Sequence, residues 1–309
     1  METQIPKALL ELIDNPNTTD ICLSAQLVAA DLGSGLSALD QLSFSEEEVA
    51  TLARQLIEVG GRRLDQANPF ADVSLPGGLR VHAVLKSACS DKTLISIRLH
   101  STKSTPLEQL LSADFANPAQ KELIQEIAAS GQSVLITGAT GTGKTTLLRS
   151  MLAVCSERVI AVEDVTELTG PNIICLQTKP KNIEGQGEIT LDDLVRQALR
   201  MRPDRICIGE VRGRELISML QALNTGHRGA TTLHANSLEH VPERLISIAS
   251  SQGLGTRALS RLVPSAFDYV IALAASGGTR KVSGIGRFSL RENELWVDPI
   301  LRIRKLALA

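Results

Sequence analysis

The hydrophobic positions of the chain change rhythm near residue 118. Before it, Val49, Leu52, Leu56 and Ile57 recur at helical spacing behind Ser45-Glu46-Glu47-Glu48, which has the form of a capping box. Residues 72–75 and 79–85, parted by Pro76-Gly77-Gly78, read as strand, turn and strand. In residues 93–99, Ile95, Ile97 and Leu99 alternate with Ser96 and Arg98, which predicts a strand with one apolar face. Residues 101–117 are rich in Ser, Thr, Pro and Asn and read as a connection. Beyond them, short apolar runs at 133–137, 158–162 and 205–208 alternate with helical patterns at 145–154, 191–201 and 215–223. Both faces of such strands are apolar, the pattern of a parallel sheet covered by helices, so the fold class is α/β. The expected division is a small α+β N-terminal domain at 1–104, a linker at 105–117 and a larger α/β domain at 118–309. Residues 280–305 carry seven Lys or Arg against three Asp or Glu and read as short strands with a solvated face.

Between the predicted strand at 133–137 and the helix after it stands Gly138-Ala139-Thr140-Gly141-Thr142-Gly143-Lys144-Thr145, a full match to G-x-x-x-x-G-K-[ST]. Such glycines let backbone amides turn inward, and the helix N-terminus adds positive partial charge, so the loop can cradle phosphates. Lys144 supplies a point charge for the β- and γ-phosphates, and the Thr145 hydroxyl is a candidate Mg²⁺ ligand. The ligand is a nucleoside triphosphate, taken here as ATP. Thr140, Thr142 and Thr146 complete the candidate cradle.

Three further segments bring acid–base groups. The apolar run at 159–162 ends in Glu163-Asp164, and a carboxylate at the end of a buried strand beside the phosphate loop faces the ligand crevice. Glu163 is therefore the candidate for orienting or deprotonating an attacking water. The run Ile206-Cys207-Ile208 leads into Gly209-Glu210, where the usual Walker B aspartate is replaced by Gly209, leaving Glu210 as that strand's acid and a second candidate for the metal. Arg212 follows and can offer a guanidinium to phosphate. His234 closes a short β-prone run, and a histidine there can donate to a phosphate oxygen or a catalytic carboxylate.

Composition narrows the function classes. A net charge of −2 and an aromatic content of 2% leave little for a nucleic-acid groove lined with stacking residues. The five cysteines form no C-x-x-C pair, and His227, His234 and His240 fit no common zinc spacing, so neither disulfides nor zinc is expected. The N-terminus lacks the basic and apolar regions of a signal peptide, and no apolar run is long enough to span a bilayer; a cytoplasmic location is expected.

Taken in order, GATGTGKTTLL, VEDVTEL, RQALRMRPDRICIGEVRG and NTGHRGATTLHANS resemble the secretion-superfamily (traffic) ATPases of type II secretion, type IV secretion and type IV pilus machines. In that family these segments are the Walker A, Asp box, Walker B and His box, and glycine in the Walker B position is normal. The likeness is greatest to the tight-adherence (Flp) pilus ATPases of actinobacterial type, through residues 194–205 and Asn182-Ile183-Glu184-Gly185-Gln186-Gly187. The resemblance implies a RecA-like P-loop ATPase domain with a parallel-rich central sheet behind the small N-terminal domain. It implies catalytic or sensing roles for Lys144, Glu163, Glu210 and His234, and phosphate contacts from Arg80 and Arg98 of the small domain, which the residues alone mark as exposed strand arginines. It further implies Mg²⁺-dependent ATP hydrolysis, a homohexameric ring, and attachment through inner-membrane platform proteins at the cytoplasmic face. It leaves two rivals: a DNA-directed conjugation or translocation motor, and a nucleotide-gated scaffold with little turnover.

Overall fold

The computed structural model describes residues 5–33, 35–75, 77–87, 89–99, 105–112, 114–179, 181, 186–276 and 279–302. The expected Pro76 turn residue and the 182–185 part of the Asn182–Gly187 segment lie outside them. The chain divides into two compact units, 1–103 with 181–188, and 104–180 with 189–309.

In the first unit, α1 (Lys7–Asp14) is followed by β1 (Asp20–Ser24), β2 (Leu27–Asp31), β3 (Leu36–Ala38), α2 (Glu46–Val59), β4 (Phe70–Leu75), β5 (Leu79–Val84) and β6 (Leu94–Leu99). The strands form one antiparallel sheet in the order β3-β2-β1-β6-β5-β4. Helix α2 begins as its sequence predicts, because the Ser45 and Glu48 side chains exchange hydrogen bonds with each other's backbone amides. It lays Val49, Leu52, Leu56 and Ile57 on the alternating inward residues Val73, Val81, Ile95 and Ile97. The α1 helix and the β1–β3 strands have no counterpart in the periodicity read above; Lys7–Asp14 is too short, and β3 too exposed, to leave a pattern.

In the second unit, α3 (Leu107–Leu110), α4 (Pro118–Ser130), β7 (Val134–Thr137), α5 (Lys144–Ala153), β8 (Val159–Glu163), β9 (Ile173–Gln177), α6 (Leu191–Ala198), β10 (Arg205–Ile208), α7 (Glu215–Asn224), β11 (Arg228–Leu233), α8 (Val241–Ser251), α9 (Thr256–Ala266), β12 (Tyr269–Ser276), β13 (Thr279–Arg291) and β14 (Glu294–Arg302) follow in turn. Among the described residues the sheet runs β14-β13-β12-β7-β11-β10-β8-β9, parallel from β12 to β9 and antiparallel through the terminal hairpin. The continuous apolar runs are explained by two cores. Leu135, Ile160, Val162 and Ile208 face α6 to α9, while Val134, Ile136, Val159 and Ala161 face α3 to α5.

Two expectations change. Within the stretch read as a linker, Leu107, Leu111, Phe115 and Ala116 are buried in the core beneath α5, and Ser150 Oγ donates to the Thr105 carbonyl at 2.7 Å. Leu107, Leu111 and Phe115 recur every four positions, but the Ser, Thr, Pro and Asn around them masked that helical spacing. Of the basic stretch at 280–305, residues 303–305 lie outside the described residues, and 280–302 are not a set of short strands but one long hairpin that extends the sheet.

At the amino-terminal edge of the parallel strands, Arg205 and Arg228 stand side by side in register and share Glu157, at 2.7 and 2.8 Å. Arg205 is almost wholly buried and also donates to the Gln132 carbonyl at 3.1 Å. Burial pushes the Glu157 carboxyl up, but the Arg205 hydrogen bond and charge outweigh it and hold the group below its ordinary value. Removing one member of a buried pair leaves an uncompensated charge. Glu157→Ala is therefore expected to destabilise the second unit by about 3 kcal/mol, read as a lower urea midpoint.

Candidate functional site

Four parallel strands deliver the site. Their pairing sets Leu233 of β11 beside Thr137 of β7, and Ile208 of β10 beside Val162 of β8. The residues just beyond those pairs, Gly138, His234, Gly209-Glu210 and Glu163, therefore emerge at the same carboxyl-terminal edge, where open α/β sheets bind ligands.

The phosphate loop joins β7 to α5. Gly141 and Gly143 hold φ of 77° and 91°, the left-handed region where a β-carbon would be strained. No side chain caps the start of α5, so its first amides and its dipole are presented to the loop. Thr142 Oγ1 braces the loop by donating to the Ala139 carbonyl at 2.9 Å. Lys144 is buried and turned back into the loop. Its ammonium donates to the Gly138 and Ala139 carbonyls, each at 3.0 Å, and lies 3.3 Å from His234 Nδ1. Burial lowers its pKa to about 8, the nearby Glu210 carboxylate opposing and Arg212 adding to the fall. Thr145 and Thr146 occupy the first turn of α5.

From Lys144 a chain of contacts crosses the sheet edge. His234 Nδ1 accepts from the ammonium, which puts the ring proton on Nε2, 3.2 Å from Glu210 Oε1. Burial and the Lys144 charge lower the His234 pKa, favouring this neutral form, although Glu210 pulls the other way. Arg212 donates to Glu210 Oε2 at 2.7 Å. Burial pushes the Glu210 carboxyl up, but the Arg212 hydrogen bond and charge, with His234 and Lys144, bring it below its ordinary value. Glu210 is thus held as a carboxylate, and Lys144, His234, Glu210 and Arg212 form one continuous cluster.

Glu163 sits apart on β8 and is 3% exposed. Its Oε2 accepts from the backbone amides of Leu168 at 2.9 Å and Glu167 at 3.1 Å. Burial pushes its pKa to about 7, the two amide hydrogen bonds resisting, Glu167 adding to the rise and Arg149 opposing it. A carboxyl that changes charge near neutrality is suited to taking a proton from water. The register also explains the missing Walker B aspartate. Gly209 lies one step beyond the Ile208–Val162 pair, beside Glu163, and a β-carbon built there would stand 3.0 Å from both Cγ and Oε1 of Glu163. The space of a side chain at 209 is filled by the glutamate of the neighbouring strand.

Arg80 and Arg98 belong to the first unit, where they are cross-strand partners on β5 and β6. Both are exposed, and Arg98 Nε donates to Asp20 Oδ1 at 2.9 Å. Like charges set directly opposite repel, and Asp20 is the carboxylate that offsets the charge of Arg98.

Sequence reasoning overlooked two residues. Thr137, fully buried, donates from Oγ1 towards the Leu233 and Ala235 carbonyls at 3.1 and 3.3 Å, gripping the chain on both sides of His234. Arg149, on the buried face of α5, lies in the field of Glu167 and Glu163. Thr137 carried a weak signal as the polar end of an apolar strand; Arg149 carried none, since its partners are distant in sequence. No group of three or more His, Cys, Asp or Glu suited to a metal stands together among the described residues. No helix among them is long and apolar enough to cross a membrane.

Comparison with known proteins places the chain in a family and a fold. The family model described as "Type II/IV secretion system protein" matches residues 38–274. A Mycobacterium tuberculosis protein named "Putative conjugal transfer protein Rv3659c" is 39% identical over 301 residues, covering 92% of this chain and 85% of that one. The Legionella pneumophila ATPase DotB has a TM-score of 0.64 at 22% identity, covering 93% of this chain and 82% of its own. The pilus retraction motor PilT, solved with bound ADP, has a TM-score of 0.64 at 21% identity, covering 94% and 82%. These two structures share the fold, and the N-terminal and RecA-like arrangement expected from the sequence is theirs.

Two outcomes are expected from the Glu163 environment. Between pH 4.5 and about 7 the folded protein keeps a proton that the unfolded chain has released, so this group's contribution to stability falls as pH rises and its penalty is complete above 7. Glu163→Gln, which can keep both amide bonds on one oxygen, should raise stability at pH 8 by about 2 kcal/mol and change it little at pH 4.5, as seen in denaturant titrations at the two pH values. Gly209→Ala should cut kcat by about 10²-fold while nucleotide affinity holds, because it displaces Glu163 and leaves the phosphate loop intact; turnover assays beside nucleotide titrations check this.

Proposed function

The chain belongs to the type II/IV secretion system protein family and is an ATP-hydrolysing enzyme of that family, and on that premise we propose that it is a Mg²⁺-dependent motor driving pilus assembly or secretion from the cytoplasmic face of the membrane. The observation that carries the reading is the joined cluster Lys144–His234–Glu210–Arg212 beside a separate, near-neutral Glu163. Generic phosphate binding needs the loop alone; the added groups suit hydrolysis and sensing of what the loop holds.

In this proposal Lys144 leaves the Gly138 and Ala139 carbonyls for the β- and γ-phosphates, and the amides of the loop, with Thr140, Thr142 and Thr146, complete the cradle. Thr145 and Glu210 would hold Mg²⁺, which fits a hydroxyl at the helix start and a carboxylate kept charged by Arg212. The metal would supply charge neutralisation for the transferring phosphoryl group. Glu163 takes the proton of the attacking water. His234, freed when Lys144 turns away, can donate to the γ-phosphate or stay on Glu210, which makes it a sensor of the phosphate. Arg80 and Arg98 add phosphate contacts from the small domain. Closing contacts made to the γ-phosphate would be lost on hydrolysis, giving domain motion. A homohexameric ring attached to inner-membrane platform proteins would turn that motion into work. Residues 1–104 and 118–309 are the proposed N-terminal and ATPase domains, and 105–117 the connection, whose Leu107, Leu111, Phe115 and Ala116 pack into the ATPase core.

Because the 39%-identical relative is named a conjugal transfer protein, a DNA-directed conjugation motor is the second reading. The slight negative charge and low aromatic content favour the first. Purified protein decides both matters. Lys144→Ala is expected to lower steady-state ATP hydrolysis by about 10²–10³-fold, and near-normal turnover would sink the catalytic reading. Added DNA is expected to leave the wild-type rate unchanged, whereas salt-sensitive stimulation would favour the conjugation motor.

A further inference from the structure

The loop that carries Glu210 and Arg212 is held from behind by a residue outside the four boxes. Glu215, in the first turn of α7, is 6% exposed, although an acid at a helix start ordinarily stabilises the dipole from solvent. Here the side chain turns back over the chain that precedes the helix. Its Oε1 accepts from the Arg212 amide at 2.5 Å and from the Gly213 amide at 2.7 Å. The other oxygen lies against Gly213, where a built β-carbon would come within 3.3 Å of Oε2. A carboxylate taken out of water at this cost has to be matched by bonds that fix something, and what these two bonds fix is the backbone from which the Arg212 side chain springs.

We propose that Glu215 is a positioning residue for this site: by clamping the Arg212 and Gly213 amides it sets the Arg212 guanidinium on Glu210, and through Glu210 the ring of His234. The inference rests on the ATPase reading above. The path is short and each contact is direct: Glu215 Oε1 to the Arg212 amide, Arg212 to Glu210 Oε2 at 2.7 Å, and Glu210 Oε1 to His234 Nε2 at 3.2 Å. The negative charge of Glu215 also favours the charged guanidinium of Arg212, after the larger effect of Glu210. Lys144 donates to its loop carbonyls without any contact to Glu215, so the clamp should bear on the catalytic arrangement rather than on the grip on phosphate.

The test combines steady-state ATPase kinetics with amide hydrogen exchange on the full chain, comparing wild type with Glu215→Ala and Glu215→Gln. Glu215→Ala should lower kcat by about 10–10²-fold with KM for ATP held within about threefold, and the Arg212 and Gly213 amides should exchange faster. Glu215→Gln keeps an oxygen that can receive both amides, so its kcat should stay within about fivefold of wild type and its protection should persist. If Glu215→Ala fails to fold, Gly213→Ala presses on the same carboxylate and should reproduce the loss of kcat. The inference is overturned if kcat of Glu215→Ala stays within about twofold of wild type, or if KM rises as much as kcat falls. It is equally overturned if Glu215→Gln is as impaired as Glu215→Ala while its amides remain protected. Exchange is read without nucleotide: slow exchange in a wild type that does not hydrolyse ATP would support the clamp and count against the ATPase reading, and fast exchange in wild type would overturn the clamp at any activity.

Discussion

The parallel hydrogen bonding of β7, β11, β10 and β8 is the constraint on which the candidate site depends. Parallel ladders bring every carboxyl end to one edge, and this register is tight enough to match single residues: Thr137 to Leu233, Ile208 to Val162. The crossovers through α5, α6 and α7 keep the strands parallel and bury both faces of each. A slip of one residue would turn Glu163 away from the crevice and set a side chain where Gly209 gives it room.

Within that frame the electrostatics divide into two parts. Lys144, His234, Glu210 and Arg212 form a linked set centred on one carboxylate, which Arg212, His234 and Lys144 together hold charged, so burial does not neutralise Glu210. Glu163 has no full counter-charge of this kind. Arg149 opposes the burial and Glu167 reinforces it, and the carboxyl rises to about 7. The same sheet edge thus holds one acid fixed in its charged form and another free to exchange a proton near neutrality, the separation of roles that acid–base chemistry on phosphates needs.

The sign of the stability cost is informative. Glu163 costs the folded protein stability above about pH 7, where its carboxylate is ionised, and groups shifted in this way cluster at functional sites. Structural charges are treated differently elsewhere in the same unit. Glu157 answers two arginines at the opposite edge and is held below its ordinary value.

Much of this was legible in the chain. The phosphate loop, the strand-end acids and His234 are local patterns, each set by a few consecutive residues, and the α/β rhythm announced that strands would be parallel and their ends shared. What the sequence by itself determined is therefore the identity of the groups and the edge on which they meet. Tertiary structure alone decided their partnerships, because these join residues far apart along the chain: Lys144 with His234, Gly209 with Glu163, Thr137 with the backbone around His234. It also set Leu107, Leu111 and Phe115 in the core of a stretch that reads as connection, since burial is a property of what lies opposite, and their spacing of four was outweighed by the polar residues around them.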